Sequence, residues 1–307
     1  MIIWRLVDGK PGHEKQTLGL AHALLRNRIG DCFDIPIASR ITSLMQWLQG
    51  RFPPGEKLPV PDILLAAGHA THFALLAARR AFGGQAVVLM KPSLPLSWFD
   101  LCVMPEHDNP PTRANVVSIR GVLNDVHPAA RSSADKGLML IGGVSEHFRW
   151  DDAGIGRAVV EIAHATPHLT WQLTTSRRTP ATFLATLPQP LPANIQPIPH
   201  DATGPGWLEQ ALTESGQVWV TEDSVSMLYE ALTAGAGVGL LRLPALSDQA
   251  RNSRVRNGVE KLVADNTVTP FETWQPGTTL PRPNTAFNEA ERIAQLILTR
   301  FANHATH

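Results

Sequence analysis

The chain has 307 residues, 43% apolar and 18% charged, and 27 Lys and Arg residues balance 27 Asp and Glu residues. This size predicts one large or two ordinary globular domains with a substantial core. The formal net charge of zero argues against a nucleic-acid-binding protein and a polybasic membrane arm. Two isolated cysteines, Cys32 and Cys102, fit a reducing compartment. Asp8 interrupts the first apolar run too early for a signal peptide, and no run could span a bilayer, so we expect a cytoplasmic protein.

The first half of the chain alternates apolar strands with helices. Short apolar runs predict strands at residues 2–7, 33–37, 62–67, 86–90, 101–104 and 116–119. Apolar residues at helical spacing predict helices at residues 14–27, 43–48 and 71–82. Residues 8–13 read as the turn after the first strand, and the Pro- and Gly-rich residues 50–61 as a loop. This alternation is typical of a parallel sheet that is covered on both faces.

The pattern lapses between residues 124 and 136 and then begins again. Predicted strands lie at residues 138–141, 169–174, 195–198, 218–220 and 237–241. Predicted helices lie at residues 151–164, 180–187, 207–213, 253–264 and 283–301. Another helix follows residues 218–220, with Asp223 or Ser224 as its predicted cap.

This order predicts an α/β protein of the GT-B-like class, with two Rossmann-like lobes, parallel sheets and a cleft between them. We place an N-terminal, acceptor-side lobe at residues 1–130 and a C-terminal, nucleotide-sugar-side lobe at residues 131–282. The last helix, within residues 283–307, is expected to pack back towards the N-terminal lobe.

Several common motifs are missing. The sequence from Gly142 to His147 is not the G-x-G-x-x-G of a dinucleotide site, and Gly9-Lys-Pro-Gly12 lacks the spacing and the ending of a P-loop. No G-x-S-x-G elbow surrounds Ser224. The sequence contains no H-E-x-x-H, and His69 and His72 are better explained as residues that flank a helix start. A metal site is therefore not predicted.

Polar residues collect where the predicted strands end. They occupy residues 8–13, 68–69, 106–108, 142–145, 174–177 and 221–230. Ligands of open parallel sheets bind at this edge. Asp223, Ser226 and Glu230 share one helix face at i, i+3 and i+7. A helix N-terminus with bare amides and hydroxyls suits phosphate, and a carboxylate two turns further suits sugar hydroxyls. The alternative is a well-capped helix with a solvated Glu.

Five of these segments resemble the signature blocks of the mitochondrial-fission ELM family. They are Asp8-Gly-Lys-Pro-Gly-His-Glu-Lys-Gln16, Pro105-Glu-His-Asp108, Ile141-Gly-Gly143, Thr175-Ser-Arg-Arg-Thr-Pro180 and Thr221-Glu-Asp-Ser-Val-Ser-Met227. Many bacterial members of that family are described as glycosyltransferases. The layout is also distantly similar to the peptidoglycan N-acetylglucosaminyltransferase, with His13 and Glu230 at matching positions. Pro11 departs from the doubled-glycine turn of that enzyme and removes one amide.

The resemblance implies a metal-independent glycosyltransferase that uses a nucleotide-diphosphate sugar as its substrate and needs no cofactor. It makes His13 the general base on the acceptor hydroxyl, with Asp108 and His107 as rival bases. Ser176 and Arg177 would hold phosphate, and Glu230 the ribose. The full set of expected substrate contacts is Asp8, Gly9, Lys10, Gly12, Gln16, Gly142, Gly143, Ser145, Ser176, Arg177, Thr221, Glu222, Asp223, Ser224, Ser226, Met227 and Glu230.

Two other functions fit the same fold. A sugar-nucleotide epimerase would isomerise its substrate without an acceptor, and a non-catalytic scaffold would recruit a protein partner. The expected partners are a nucleotide sugar and a glycan or lipid-linked acceptor, and no nucleic acid. A lipid acceptor would bring the protein to the inner face of a membrane. The residues that would form a surface patch there, unless they pack in the core, are Trp47, Phe52, Trp98, Phe99, Arg51, Arg79 and Arg80.

Overall fold

A computed structural model of the chain describes residues 1–128, 133–247, 254–283 and 287–302. The chain forms two compact units. Unit 1 comprises Met1–Asp125 and the described residues from Glu289 onwards, and unit 2 comprises Val126–Asn288. The expected linker at residue 130 and the expected helix start at residue 253 lie outside the described residues.

Unit 1 is built on a six-stranded parallel sheet. Its strands are β1 (Ile2–Val7), β2 (Asp31–Pro36), β3 (Ile63–Ala67), β4 (Gln85–Leu89), β5 (Leu101–Pro105) and β6 (Val116–Ile119). They lie in the order β2-β1-β3-β4-β5-β6. Its helices are α1 (Pro11–Asn27), α2 (Arg40–Gln49), α3 (His72–Phe82) and the last helix of the chain, α8 (Glu289–Ala302).

The side chains of unit 1 form one core on each face of its sheet. Because successive side chains of a strand point to opposite faces, Ile3 and Trp4 of β1 enter different cores. Ile3 packs with Leu20 of α1 and Ile293 of α8, and Trp4 packs with Leu75 of α3. Helices therefore cover both faces, which explains why the strands are continuously apolar.

Unit 2 repeats this architecture with a different strand order. Its strands are β7 (Ser133–Leu140), β8 (Thr170–Thr174), β9 (Ile195–Ile198), β10 (Ser215–Thr221), β11 (Gly237–Leu241) and β12 (Thr269–Pro270). They lie in the order β12-β11-β10-β7-β8-β9, and all are parallel. The helices are α4 (Asp152–Ala165), α5 (Trp207–Glu214), α6 (Val225–Ala234) and α7 (Arg254–Ala264).

Each sheet has a point where the chain order reverses. In unit 1 it lies between β1 and β3, and in unit 2 between β7 and β10. The crevice outside the carboxyl ends of two such strands is where open α/β sheets bind their ligands. The turns that follow β1 and β10 thus lie at the edges where a ligand is expected.

The predicted α/β fold class is confirmed, but several details differ, among them the start of the last helix, which lies at Glu289 and not at residue 283. Residues 180–187 are not an α-helix: Phe183–Thr186 form a 3₁₀ turn, and Leu187, which precedes Pro188, is extended. α1 begins at Pro11, a residue favoured in the first helical position, so Gly12 and His13 belong to the helix. The short edge strand β12 was not predicted. Among the described residues, no helix is both long and apolar enough to span a membrane.

Candidate functional site

His13 and Asp8 form a hydrogen-bonded pair after β1. Nδ1 of His13 lies 2.9 Å from Oδ2 of Asp8. The Asp8 side chain is 3% exposed and that of His13 is 19% exposed. Because an ionised carboxylate only accepts hydrogen bonds, Nδ1 donates and Nε2 is left as the accepting nitrogen of the ring. Asp8 thus fixes both the orientation and the tautomer of His13.

The His13 ring packs directly on Gly68, which follows β3. A Cβ atom built on Gly68 would lie 2.2 Å from Cε1 of His13, and the φ angle of Gly68 is +81°. Only glycine meets both conditions, since other residues rarely adopt a positive φ and would strike the ring. His13 is therefore held at the point where the order of the unit 1 sheet reverses.

The other residues predicted around His13 are placed differently. Gly9, Lys10 and Gly12 are exposed, and a Cβ built on either glycine would meet no atom within 4 Å. Gln16 is buried, donates from Nε2 to the Gly12 carbonyl, and has no hydrogen-bond partner for Oε1 among the described residues. Asp108 lies in the turn after β5, three strands from β1, or about 14 Å along the sheet edge.

In unit 2, the loop that follows β7 is bound by its neighbours. The Gly142 amide donates to Oγ1 of Thr221 over 2.8 Å, and the Gly143 amide donates to Oδ2 of Asp223 over 2.8 Å. The Val144 amide donates to the Arg178 carbonyl over 3.1 Å. Three successive amides that a phosphate could have used are therefore engaged within the protein.

Close packing explains the two glycines of this loop. A Cβ on Gly142 would lie 2.3 Å from Oδ2 of Asp223, and one on Gly143 would lie 2.1 Å from the Arg178 carbonyl oxygen. Oγ of Ser176 donates to the Gly142 carbonyl over 2.8 Å. Because they lack side chains, the two glycines leave room for neighbouring loops of the protein, and both are buried.

Asp223 faces back into this cluster. Its Oδ2 also pairs with Nη2 of Arg178 at 2.9 Å, and the Asp223 side chain has no exposed surface. Neither Asp223 nor Ser224 caps α6 by a side-chain hydrogen bond, so the predicted cap is wrong. The Arg178 guanidinium and the Gly143 amide together attract the Asp223 carboxylate more strongly than the first amides of α6 do. Arg177, the arginine predicted to bind phosphate, is exposed instead.

The first turn of α6 is therefore left without a cap. Within the described part of the chain, no acceptor bonds the amides of Val225, Ser226 and Met227. Ser226 is exposed and Met227 half-buried. Ser224 is 8% exposed and Glu230 is 4% exposed, so both lie largely inside the unit.

Two further predicted residues have internal partners. Oε2 of the buried Glu222 accepts from the Leu243 amide over 3.1 Å, and its Oε1 lies 3.5 Å from Nε of Arg256. Burial raises the pKa of Glu222, an effect that its neighbouring arginines partly oppose. Oγ of Ser145 accepts from the Phe148 amide over 3.2 Å.

The structure thus brings together two groups of predicted residues, Asp8 with His13 and the 142–143 loop with residues 176, 221 and 223. Sequence reasoning missed Gly68, Arg178 and Thr179 as members of these groups. Thr179 donates to the Ile141 carbonyl over 3.1 Å. A glycine at a predicted strand end was the signal for Gly68, but nothing in the pair Arg177-Arg178 indicates which arginine pairs with Asp223.

Two Rossmann-like units, each with polar groups at the reversal point of a parallel sheet, define a GT-B-like α/β fold. The sequence profile of the family described as mitochondrial fission ELM1 matches residues 11–301, so the chain belongs to that family. A search of curated protein sequences gave no match.

Solved structures share the fold at low sequence identity. One is a Listeria monocytogenes protein assigned as a UDP-N-acetylglucosamine 2-epimerase, with a TM-score of 0.61, 14% identity, and coverage of 98% of this chain and 97% of that chain. Another is the spinosyn forosaminyltransferase SpnP, with a TM-score of 0.51, 12% identity and 99% coverage of both chains. These likenesses establish the fold.

Proposed function

We propose that this protein is a metal-independent glycosyltransferase that binds a nucleotide-diphosphate sugar at the N-terminus of α6. The observation that carries the proposal is the uncapped first turn of α6 at the reversal point of the unit 2 sheet. Its free amides and the partial positive charge of the helix end suit a diphosphate.

In this proposal, residues of unit 2 bind the donor and residues of unit 1 act on the acceptor. The amides of residues 225–227 and the Ser226 hydroxyl hold the diphosphate, with Arg177 supplying charge from the neighbouring loop. Glu230, one turn further along α6, is the group for ribose hydroxyls. In unit 1, Nε2 of His13 accepts the proton of the acceptor hydroxyl as its oxygen attacks the anomeric carbon, and Asp8 stabilises the resulting imidazolium.

Calorimetry with nucleoside diphosphates and their sugars tests the binding step. Val225→Pro removes one of the three amides at a position where proline is tolerated, and Val225→Ala is the matched control that keeps the amide. We expect binding to the native protein, weaker binding to V225P and native-like binding to V225A. Absence of binding by the folded native protein would overturn the proposal. Isomerised sugar nucleotide without an acceptor would favour the epimerase function instead.

We also propose a peripheral membrane contact through unit 1, which would suit a lipid-linked acceptor. Ile41, Met45 and Leu48 of α2 are 77%, 48% and 55% exposed, and Trp98 is 36% exposed. The spacing of the three α2 residues puts them on one helix face. The rings of Trp47 and Trp98 lie 5.1 Å apart. We call Ile41, Met45, Leu48 and Trp98 the α2 patch.

Positive charge predominates around the α2 patch, where Arg79 is paired with Asp100 at 2.6 Å. Residues 38–55, 69–84 and 91–99 contain four Arg and one Lys and no Asp or Glu, although the whole chain is neutral. Apolar residues surrounded by cations are typical of proteins that lie on anionic bilayers. Phe52 and Phe99, expected in this patch, are 3% and 2% exposed. They belong to the core, where Phe52 stacks on Trp4 and Phe99 contacts His72.

Flotation with vesicles tests whether the α2 patch binds a membrane. The native protein should float with phosphatidylglycerol vesicles and not with phosphatidylcholine vesicles, and Met45→Ser with Leu48→Ser should abolish flotation. Ile29→Ser with Val60→Ser is the matched control, since Ile29 and Val60 are exposed apolar residues outside the α2 patch. Equal loss in both double variants would contradict a membrane role for the patch.

A further inference from the structure

Two groups of anion-binding donors lie next to each other at the end of β10. One group consists of the Gly143 amide and the Arg178 guanidinium, and the other of the first amides of α6. The Asp223 carboxylate occupies the first group, through Oδ2. Asp223 directly precedes Ser224, the residue at which α6 begins its first turn. A fixed anion therefore sits beside the helix end that is left open.

The hydrogen bonds of Asp223 satisfy only one of its two carboxylate oxygens. Oδ1 is buried and has no hydrogen-bond partner among the described residues. An unsatisfied buried carboxylate oxygen is costly. A turn of the side chain towards α6 would instead give it the amides that commonly cap a helix. Gly142 leaves the space that the carboxylate fills, because a Cβ there would lie 2.3 Å from Oδ2 of Asp223.

We propose that Asp223 is a specificity-determining residue that favours the nucleotide sugar over the nucleoside diphosphate product. This inference rests on the proposed function. In the transfer, the bond between the anomeric carbon and the diphosphate oxygen breaks, and the oxygen keeps the electron pair. The terminal phosphate of the product then carries up to one more negative charge, because its second ionisation has a pKa near 6.

The charge of Asp223 acts more strongly on the product than on the substrate, because it repels the diphosphate and also neutralises the Arg178 guanidinium, with which it pairs at 2.9 Å. Like charges a few ångströms apart repel each other, and the effect grows with each unit of ligand charge. The α6 amides attract both ligands, whereas repulsion by Asp223 is greater for the more highly charged one. The consequence is easier release of the nucleoside diphosphate after transfer.

Titration calorimetry with uridine diphosphate, UDP-N-acetylglucosamine and inorganic pyrophosphate tests this role. Asp223→Asn removes the charge and keeps the shape and an acceptor oxygen for the Gly143 amide. Asp223→Ser is the second variant, in case the first loses the loop structure. Glu214→Gln is the matched control, since it removes one carboxylate at the opposite end of β10, where Glu214 pairs with Lys136.

We expect D223N to strengthen uridine diphosphate binding about tenfold more than UDP-N-acetylglucosamine binding, and E214Q to leave the ratio of the two affinities unchanged. An unchanged ratio in folded D223N and D223S would overturn the proposal, as would weaker binding of all three ligands. Stronger pyrophosphate binding by D223N, without nucleotide binding by any variant, would retain the anion role of Asp223 and reject the proposed function.

Discussion

Oδ2 of Asp8, directly after β1, and Nδ1 of His13, in the first turn of α1, lie 2.9 Å apart. The carboxylate is buried and the imidazole is partly open to solvent. Asp8 therefore orients the His13 ring through Nδ1 and leaves Nε2 without a role in this pair. This is the arrangement that a positioned general base requires.

Asp8→Asn should lower the rate of glycosyl transfer about 100-fold, because the neutral amide no longer stabilises the imidazolium. His13→Ala should lower it at least as far, and the double variant should be no slower than H13A, since the two residues act as one unit. Initial rates with a saturating donor measure this. The control is Glu14→Gln, which alters a neighbouring carboxylate that accepts from the Gly9 amide. Additive losses in the double variant would contradict the pairing.

Gly68→Ala should displace His13 and destabilise unit 1 more than Gly83→Ala does. Both glycines have a φ angle near +80°, but only at Gly68 would a Cβ strike another residue. G83A should cost about 1 kcal/mol from backbone strain, and G68A should cost more by the clash with the ring. Urea unfolding of both variants measures the difference. Equal free energies of unfolding would show that the ring is not held against Gly68.

Thr221→Val should destabilise unit 2 by about 1–3 kcal/mol, because it leaves the buried Gly142 amide without an acceptor. Thr221→Ser keeps the hydroxyl and removes only a methyl group, so it should cost less. Chemical denaturation of the two variants gives the comparison. A larger loss in T221S than in T221V would mean that packing, and not the hydrogen bond, is what Thr221 contributes.

The sequence predicts the fold well and the candidate site only in part, for physical reasons. Continuous apolar strands and apolar residues at helical spacing are local signals, which can be read from the sequence alone. The direction of the Asp223 side chain depends on Arg178 and Gly143, residues 45 and 80 positions away along the chain. Capping rules use only the sequence around the start of a helix. They therefore could not predict that Arg178 and the Gly143 amide bind the Asp223 carboxylate in place of the first amides of α6.

His72 should make the protein less stable as the pH falls below its ordinary pKa. Burial, with help from the charges of His69 and Arg40, lowers the pKa of His72 from 6.5 to about 4. The folded state therefore resists protonation. The contribution of neutral His72 to the free energy of unfolding is complete above pH 6.5. It is lost between pH 6.5 and about 4, by up to about 3 kcal/mol.

The free energy of unfolding measured between pH 7 and pH 4 should fall less steeply in His72→Gln than in the native protein. His168→Gln, which changes an exposed histidine, should keep the native dependence. If H72Q and the native protein lose stability in parallel over this range, another group is responsible.

The most direct measurement for the whole account is an amide NMR titration of the native protein with UDP-N-acetylglucosamine. We predict that the largest shifts fall on Val225, Ser226 and Met227 at the start of α6, and that V225P reduces the affinity while V225A does not. Saturable shifts confined to other parts of unit 2, or no shifts in a folded sample exposed to the whole series of nucleoside diphosphates and their sugars, would contradict a nucleotide-sugar site at this helix end.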